Sequence, residues 1–517
     1  IQALRQLRNR GGSASRRSVP AALPVVFTSM LGSDVTAEPL EHLGDVVYAV
    51  NQTPQVYLDH QLRESADGLD FSWDAAEAYF EPGYLQTLFD VYGQTLEGLA
   101  SGRLAWTIGS FQSTTAMAPP TDTATSAMID LLRQVQGEES PASFPLTDQQ
   151  QAYAFGRDMR LQGGGTSCQF YQELHATQLN VSRLEQALAG VIARHPMLRT
   201  VVDADGSQRE LAQVPHYAIE VTDLTRLRPQ QLQVALDETR RALVARVVPL
   251  GEWPYFTVAV SLLDGQTVCV HLCVDLMLVD STSIGLLLQE LIQGYEQPAA
   301  VLQAPTVTFR DYQRAVERFK ATSFHTDRVA YWGGKFAELP GGPTLPQLPH
   351  LPTTAGVDTH QRISGELQHW AGLKQYAATH HVPCSLILLT AYLEVLYAWI
   401  GQRPLTVVVP GWERLPIHED IGRVIGDFTT LSWVTRGSDA IEITERLAQV
   451  TRQHAADLAQ RPVSGLQVLR RLMLRDRRRQ LGFPVVFTNQ ITPRALPGTQ
   501  VQFGQAETDN PQAYDAM

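Results

Sequence analysis

The hydrophobic and polar positions along the chain follow two different periods. In NVSRLEQALAGVIARHPMLRT, the apolar residues recur at helical spacing, and Ser182 with Glu185 fits a capping box at the start of the helix. Other segments are short, β-branched and apolar, which is typical of strands. The pattern predicts helices in 180–200, 283–295 and 385–400, and strands near 197–202, 255–279 and 405–409. Such a mixture predicts an α/β fold built in layers.

Two distant parts of the chain resemble each other. An Arg-rich segment runs into PVVFT at 24–28, and a second Arg-rich segment runs into PVVFT at 484–488. The segment NQTPQVY at 51–57 is echoed by TDNPQAY at 508–514. This repeat indicates that the chain begins inside one copy of a unit and finishes inside the same part of a second copy.

The repeat and the composition together predict the domain organisation. A Ser/Thr/Pro-rich stretch with one amphipathic patch near Ile129 to Val135 is typical of a linker, and the Pro-rich ELPGGPTLPQLPHLP divides the second copy. The predicted parts are the C-terminal part of a first copy (1–111), a linker (112–143), an N-terminal lobe of the second copy (144–337), a Pro-rich crossover (338–352) and a truncated C-terminal lobe (353–517).

Composition excludes several classes of protein. A net charge of -12, with 18% charged residues, gives no general electrostatic reason to bind nucleic acid. No apolar run reaches the roughly 18 residues of a membrane helix, and no signal peptide is evident. Four cysteines are too few for a disulfide framework. We therefore expect a cytoplasmic protein that contacts neither nucleic acid nor membrane.

One stretch has the residue types of a zinc site. Alternation along QTVCVHLCVD would place Cys269, His271, Cys273 and Asp275 on one face of a strand. Ligands spaced in this way on a straight strand diverge rather than converge on a tetrahedron. We therefore predict no metal, and a strand with one face in the core and the other facing a polar cleft.

Six motifs in order resemble a known family. They are FPLTDQQQAYAFGR (144–157), RHPMLRTVVDADGSQ (194–208), DLMLVDSTS (275–283), LPGGPTLPQLP (339–349), GDFTTLSWV (426–434) and PVVFTN (484–489). The series resembles heterocyclization domains, the variant condensation domains of nonribosomal peptide synthetases. The resemblance implies two chloramphenicol-acetyltransferase-like lobes in a V-shaped pseudo-dimer, with a partial C-terminal lobe of a preceding copy.

The resemblance also gives a reading of the two aspartates near the end of a core strand. Condensation domains carry His-His-x-x-x-Asp-Gly, and here Asp275 and Leu276 stand at the histidine positions. The implied variant is D-x4-D-x2-S, formed by Asp275, Asp280 and Ser283. Leucine cannot accept a proton, so no base stands at that position. Asp280 or Ser281 is also expected to cap the following helix, and Asp275 to fix the loop geometry, which would make both aspartates mainly architectural. The family's usual ion pair further implies that Asp280 pairs with Arg414.

A second set of residues is implied for cyclodehydration. In the family, a Thr of PVVFTS and an Asp of QTPQVxLDHQ are implicated in this step, and here they correspond to Thr28 and Asp59, with Gln52 nearby. The second copy retains Thr488 but has Ala516 where Asp59 would stand. We therefore expect a complete dehydration pair in the first copy and a doubtful one in the second.

The implied reaction joins two substrates that arrive on carrier proteins. An upstream acyl or aminoacyl thioester condenses with carrier-bound Cys, Ser or Thr, and the product cyclises to a thiazoline or oxazoline, as in siderophore-type assembly lines. The expected partners are upstream and downstream peptidyl or aryl carrier proteins and an adjacent adenylation domain. Phosphopantetheine arms come with the carriers, and no cofactor is bound directly. Two alternatives are a domain that forms only amides and a non-catalytic docking scaffold for carrier proteins.

Overall fold

The computed structural model describes most of the chain, with gaps. The described residues are 45–52, 58–64, 69–76, 80–102, 123–136, 138, 143–157, 167–203, 205–299, 302–343, 360–380, 382–412, 414–439, 441–475 and 485–487.

Fourteen strands are found in these residues. They are β1 (Asp45–Gln52), β2 (Leu58–Glu64), β3 (Leu69–Ala76), β4 (Ser143–Pro145), β5 (Gln169–Thr177), β6 (Thr200–Val202), β7 (Ser207–Glu210), β8 (Glu220–Asp223), β9 (Phe256–Leu262), β10 (Thr267–Asp275), β11 (His360–Leu367), β12 (Leu405–Gly411), β13 (Thr430–Arg436) and β14 (Val485–Phe487).

Twelve α-helices are described in the same part of the chain. They are α1 (Tyr84–Ala100), α2 (Thr123–Gln136), α3 (Asp148–Gly156), α4 (Val181–Arg194), α5 (Pro229–Val244), α6 (Ser281–Glu296), α7 (Phe309–Phe319), α8 (Ser323–Glu338), α9 (Trp370–His380), α10 (Cys384–Trp399), α11 (Ile443–Leu458) and α12 (Gly465–Arg475).

The N-terminal lobe is built on a five-stranded sheet with the order β1-β5-β10-β9-β8. The central strand β10 pairs antiparallel with β5 and β9, and almost all of its side chains are buried. Helices α4 and α6 pack together beside this sheet, and α5 packs against β5 and β10. A small separate sheet, β4-β7-β6, lies at the start of the lobe. Burial on both faces explains the nearly continuous apolar run of β10.

The C-terminal lobe is built on a six-stranded sheet with the order β11-β3-β2-β14-β12-β13. One face packs against α1, α9, α10 and α11 in a single hydrophobic cluster. An aromatic group lies inside this cluster, where the His60 ring stands 5.1 Å from the ring of Tyr92 and 4.7 Å from that of Tyr392. Helix α10 is buried along most of its length, which explains its apolar sequence.

The described part of 1–111 is shared between the two lobes. Strand β1 joins the N-terminal sheet beside β5, whereas β2 and β3 lie inside the C-terminal sheet between β14 and β11. Among the described residues, the part of the chain predicted to belong to a first copy thus completes the sheets of the second unit. The boundaries given for the domains remain predictions, and the structure shows that strands of residues 45–76 pair in both sheets.

The predicted linker at 112–143 contains a core helix. Residues Ala124, Met128, Leu132 and Val135 of α2 are buried, and the helix packs along α7. The amphipathic patch seen in the sequence is therefore one face of a packed element rather than part of a free connection, because its apolar side is covered. Residues 123–136 of the predicted linker thus form a packed helix, and the extent of the linker remains a prediction.

Two helix starts can be compared with the sequence. The predicted capping box is wrong for α4, because Asn180 caps the helix by accepting from the backbone N–H of Arg183 at 3.0 Å. Glu185 instead accepts from the backbone N–H of Ile219 at 2.9 Å. The predicted cap of α6 is confirmed, since Asp280 accepts from the backbone N–H of Ser283 at 2.8 Å.

A helix that crosses a bilayer must be both long and apolar. No single helix in the described residues meets both conditions, although α9 and α10 reach the required length and apolarity as a pair bent by 108°.

Candidate functional site

The first aspartate of the D-x4-D segment ends strand β10. Asp275 is 1% exposed, forms an ion pair with Arg157, and accepts from the backbone N–H of Met277 at 3.0 Å. Burial raises the pKa of Asp275, and the Arg157 guanidinium opposes that rise. Leu276 is also buried, at 1% exposed, where a condensation domain would present its second histidine. The loop therefore has a fixed shape and no base at this position.

The second aspartate binds an arginine from the other lobe. Arg414 donates from Nη2 to Asp280 Oδ1 at 3.0 Å and to Ser283 Oγ at 2.9 Å. The side chains of Asp280 and Arg414 are 0% and 6% exposed. The guanidinium also lies 4.5 Å from the centre of the Phe428 ring. The pairing expected between Asp280 and Arg414 is thus present.

Backbone contacts strengthen the same connection between the lobes. Asp280 Oδ2 accepts from the backbone N–H of Phe428 at 3.1 Å, and the backbone N–H of Asp280 donates to the carbonyl of Gly426 at 3.1 Å. Ser283 Oγ donates to the same carbonyl at 2.9 Å. The D-x4-D segment therefore ties the N-terminal lobe to the GDFTT loop of the C-terminal lobe.

Asp59 lies on β2, on the face of the C-terminal sheet opposite the helices. Leu58 and Leu62 of the same strand enter the hydrophobic cluster under the helices, so alternation places Asp59 and Gln61 on the other face. Asp59 is 6% exposed and Gln61 is 8% exposed. Gln61 Nε2 donates to Asp59 Oδ2 at 2.8 Å and to Asp74 Oδ2 at 2.9 Å.

The sheet register places Asp59 beside β14, the strand formed by the second PVVFT motif. Five adjacent strands each contribute one residue to a row across the sheet. In order from β3 to β13, the row is Asp74, Asp59, Val486, Val408 and Trp433. Asp59 therefore neighbours β14 of the second unit, where the sequence offered only Ala516 for the same place. Among the described residues, the acidic residue next to β14 therefore comes from the first 111 residues of the chain.

Burial on this face of the sheet differs from one end of the row to the other. On β12 and β13, Val408 and Trp433 belong to the core shared with the N-terminal lobe, where the Trp433 ring lies 5.3 Å from that of Trp332. On β11 at the other edge, Ser364 and Glu366 are exposed. The carboxylates of β2 and β3 thus lie between a packed half and an open half of the face.

The remaining predicted residues are placed as follows. Thr28 and Thr488 lie outside the described residues. Gln52 ends β1 and pairs with Gln169 in the N-terminal sheet, so Gln52 and Asp59 belong to different sheets. The roles predicted for the site residues remain predictions.

Sequence reasoning missed three residues of this region. Gln61 could have been found from alternation with Asp59, but Asp74 required the pairing of β2 with β3. Asp427 belongs to the quoted GDFTTLSWV motif, yet no role was assigned to it. Its carboxyl accepts from Thr147 Oγ1 at 3.1 Å and from the backbone N–H of Thr429 at 3.1 Å.

Asp427 lines a cleft between the two lobes. The cleft is bordered by the start of α3, by α7, by the start of β13 and by residues 457–467. Asp427 is 2% exposed, and burial raises its pKa to about 7. A carboxyl of this kind exchanges a proton near neutral pH.

The zinc-like set on β10 has other contacts. His271 lies 2.8 Å from the Tyr171 hydroxyl through Nδ1 and 2.9 Å from Ser261 Oγ through Nε2. On the neighbouring strand β5, Glu173 accepts from Arg240 through both carboxylate oxygens, each at 2.8 Å. Over the residues that the structure covers, no cluster of three or more His, Cys, Asp or Glu side chains could hold a metal ion.

Comparison with known proteins adds the family. A family model described as "Condensation domain" matches residues 142–514. Pyochelin synthetase PchF of Pseudomonas aeruginosa is 32% identical over 354 residues, which cover 67% of this chain and 19% of PchF. Phenyloxazoline synthase MbtB of Mycobacterium tuberculosis is 28% identical over 417 residues, which cover 77% of this chain and 27% of MbtB. This chain thus corresponds to less than a third of either relative.

A solved structure shares the architecture. The rhombohedral crystal form of the EpoB NRPS cyclization-docking bidomain from Sorangium cellulosum is 25% identical, has a TM-score of 0.60, and covers 88% of this chain and 83% of its own. The two-lobed α/β architecture is therefore that of nonribosomal peptide synthetase domains, and the predicted α/β fold class is confirmed. The chain belongs to the condensation-domain family. This family catalyses amide-bond formation, which confirms the predicted class of enzyme.

Proposed function

We propose that the chain is a heterocyclization domain, which forms an amide between two carrier-bound substrates and then closes it to a thiazoline or oxazoline ring. The observation that carries the proposal is Asp59, a carboxyl held on the lobe-facing side of the C-terminal sheet next to β14. The names of the relatives support the second step, because one is a phenyloxazoline synthase and one solved structure is a cyclization bidomain.

The amide step is driven by alignment. Leu276 cannot remove a proton from the attacking amine, and Asp275 is already engaged by Arg157 and Met277. Two thioesters brought together on phosphopantetheine arms from upstream and downstream carrier proteins gain a large effective concentration without a general base. The D-x4-D segment contributes by holding the lobes together, through Asp280 and Arg414.

The ring-closing step needs acid and base. The thiol or hydroxyl of the condensed Cys, Ser or Thr adds to the amide carbonyl carbon, and the resulting hydroxyl must leave as water. Asp59 supplies a carboxyl in a mostly buried setting, where a carboxylic acid can donate this proton. Thr488, two positions beyond Val486 in the sequence, is the hydroxyl proposed to work with it.

The experiment uses the whole chain with two loaded carrier proteins, an upstream acyl carrier and a downstream cysteinyl carrier. We compare Asp59→Asn with Asp90→Asn, because Asp90 of α1 also accepts from a Gln amide, at 2.8 Å, but on the exposed surface. Asp59→Asn is expected to keep amide formation and to slow ring closure by about 100-fold or more, as loss of a general acid does. Asp90→Asn is expected to match the unmodified chain.

The products seen by intact-mass analysis of the downstream carrier separate the alternatives. Amide without ring from the unmodified chain would replace the proposal with an amide-forming domain. Carrier binding without either product would indicate a docking scaffold. Ring closure at an unchanged rate in Asp59→Asn would remove Asp59 from the mechanism.

A further inference from the structure

The carboxyl of Asp59 has a second carboxyl beside it. Asp74 lies directly opposite Asp59 in the antiparallel pair of β2 and β3, so both residues occupy the same face of the sheet. Side chains opposite each other have Cβ atoms about 5 Å apart. Asp74 is half-buried and Asp59 is buried. Two like-charged groups thus share a site that is largely shielded from water.

Gln61 bridges the two carboxyls through one nitrogen. Its Nε2 donates to Asp59 at 2.8 Å and to Asp74 at 2.9 Å. An amide nitrogen carries two hydrogens and an amide oxygen carries none, so only this orientation of the amide satisfies both carboxylates. The bridge holds both groups in place and leaves the carbonyl oxygen of Gln61 as an acceptor.

We propose that Asp74 is the second carboxyl of the ring-closing site and acts with Asp59 as an acid–base pair bridged by Gln61. This inference rests on the proposed heterocyclization. Two carboxyls on neighbouring strands, held by one bridging amide, can divide proton transfer between them, with one giving a proton and the other receiving one. One carboxyl is then an acid while the other is a base.

Ring closure uses both states. The thiol or hydroxyl forms a bond to the amide carbon, and its proton passes to the carbonyl oxygen, which becomes a hydroxyl. The protonated carboxyl then gives its proton to that hydroxyl as the C–O bond breaks and water leaves. The ring nitrogen forms the C=N bond and gives its N–H proton to the ionised carboxyl. The two carboxyls have exchanged roles, and one water has been lost.

Other charged positions surround Asp74 in the sheet. Arg362 of β11 stands opposite Asp74 in the register, and Asp70 lies four residues earlier on β3. Asp59 is the acidic position on the β2 side.

The test follows the rate of ring closure against pH, starting from carrier-bound amide. The unmodified chain is expected to give a bell-shaped profile, because one carboxyl must be protonated and the other ionised. Asp74→Asn is expected to lose about 100-fold in ring closure and one limb of the bell, while amide formation is retained. Asp74→Glu should restore part of the rate and the second limb. Asp90→Asn should change neither the rate nor the profile.

Three results would overturn the inference. The first is an unchanged rate of ring closure in Asp74→Asn. The second is a slower rate with the bell-shaped profile intact, which a merely structural residue would give. The third is an unchanged pH profile in Asp74→Ser, the variant to use if Asp74→Asn fails to fold. If the unmodified chain closes no ring, the proposed function fails separately. Carbon-13 NMR of labelled aspartate carboxyls then decides, because coupled titration of Asp59 and Asp74 supports the pair and independent titration rejects it.

Discussion

Replacement of Arg414 by alanine tests how the two lobes are joined. Arg414 is 6% exposed and Asp280 is 0% exposed, so the variant leaves a buried carboxylate without its cation. It also removes the hydrogen bond to Ser283 Oγ at 2.9 Å and the contact with the Phe428 ring. We therefore expect a loss of stability rather than a local change in activity.

The magnitude follows from what remains around the carboxylate. Loss of one partner from a buried ion pair costs about 3–5 kcal/mol. Asp280 keeps the backbone N–H donors of Ser283 at 2.8 Å and Phe428 at 3.1 Å, which places the expected cost near the lower end. A loss of about 3 kcal/mol corresponds to a fall in Tm of roughly 3 °C for a chain of this size.

Urea and thermal unfolding, followed by circular dichroism, measure this loss. The control is Arg133→Ala, which breaks an ion pair with Asp130 whose side chains are 75% and 69% exposed, and which should change stability by less than about 0.5 kcal/mol. Combining Arg414→Met with Asp280→Asn should recover part of the loss, because no unpaired charge is left. Equal stability of Arg414→Ala and the control would refute the reasoning.

Two further predictions concern pH. Burial lowers the pKa of His60 to about 3, so between pH 6.5 and pH 3 the unfolded chain binds a proton that the folded chain does not, and folding loses stability as pH falls. This loss amounts to about 3 kcal/mol at pH 4, and His60→Phe should remove it. The prediction is contradicted if the unfolding midpoint changes between pH 7 and pH 4 by the same amount in the variant and in the unmodified chain. Burial raises the pKa of Asp427 to about 7, so its contribution is present below the unfolded value of 3.8 and is lost as pH rises through 7. The stability of the unmodified chain relative to Asp427→Asn should therefore fall between pH 4 and pH 7, and a difference that stays constant over this range would show that Asp427 does not titrate there.

The residues around Asp280 show what the sequence could predict. A helix cap depends on a short local motif, so the cap at Asp280 could be predicted from the residues alone. The pairing with Arg414 was predicted from the family resemblance, because the two residues lie 134 positions apart. The pairing of Asp275 with Arg157 was not found, because the two residues lie 118 positions apart and no spacing rule connects them. Alternation could place Asp59 and Gln61 on one face, but the alignment with Asp74 depends on strand register.

The path of residues 45–102 could not be predicted from local pattern. The repeat suggested that these residues belonged to a separate unit. In the structure, β1 pairs with β5 in one sheet, and β2 pairs with β14 in the other. These pairings join parts of the chain that are far apart in sequence, and the free energy of such contacts depends on the whole core rather than on local propensity.

The central claim is that this chain closes a ring after it forms an amide. The most direct test is the mass of the product on the downstream carrier after a single turnover of the unmodified chain with an acyl carrier and a cysteinyl carrier. The account predicts a product lighter than the condensed amide by one water, and the same reaction with Asp59→Asn should stop at the amide. A condensed product that keeps its water in the unmodified chain would contradict the claim.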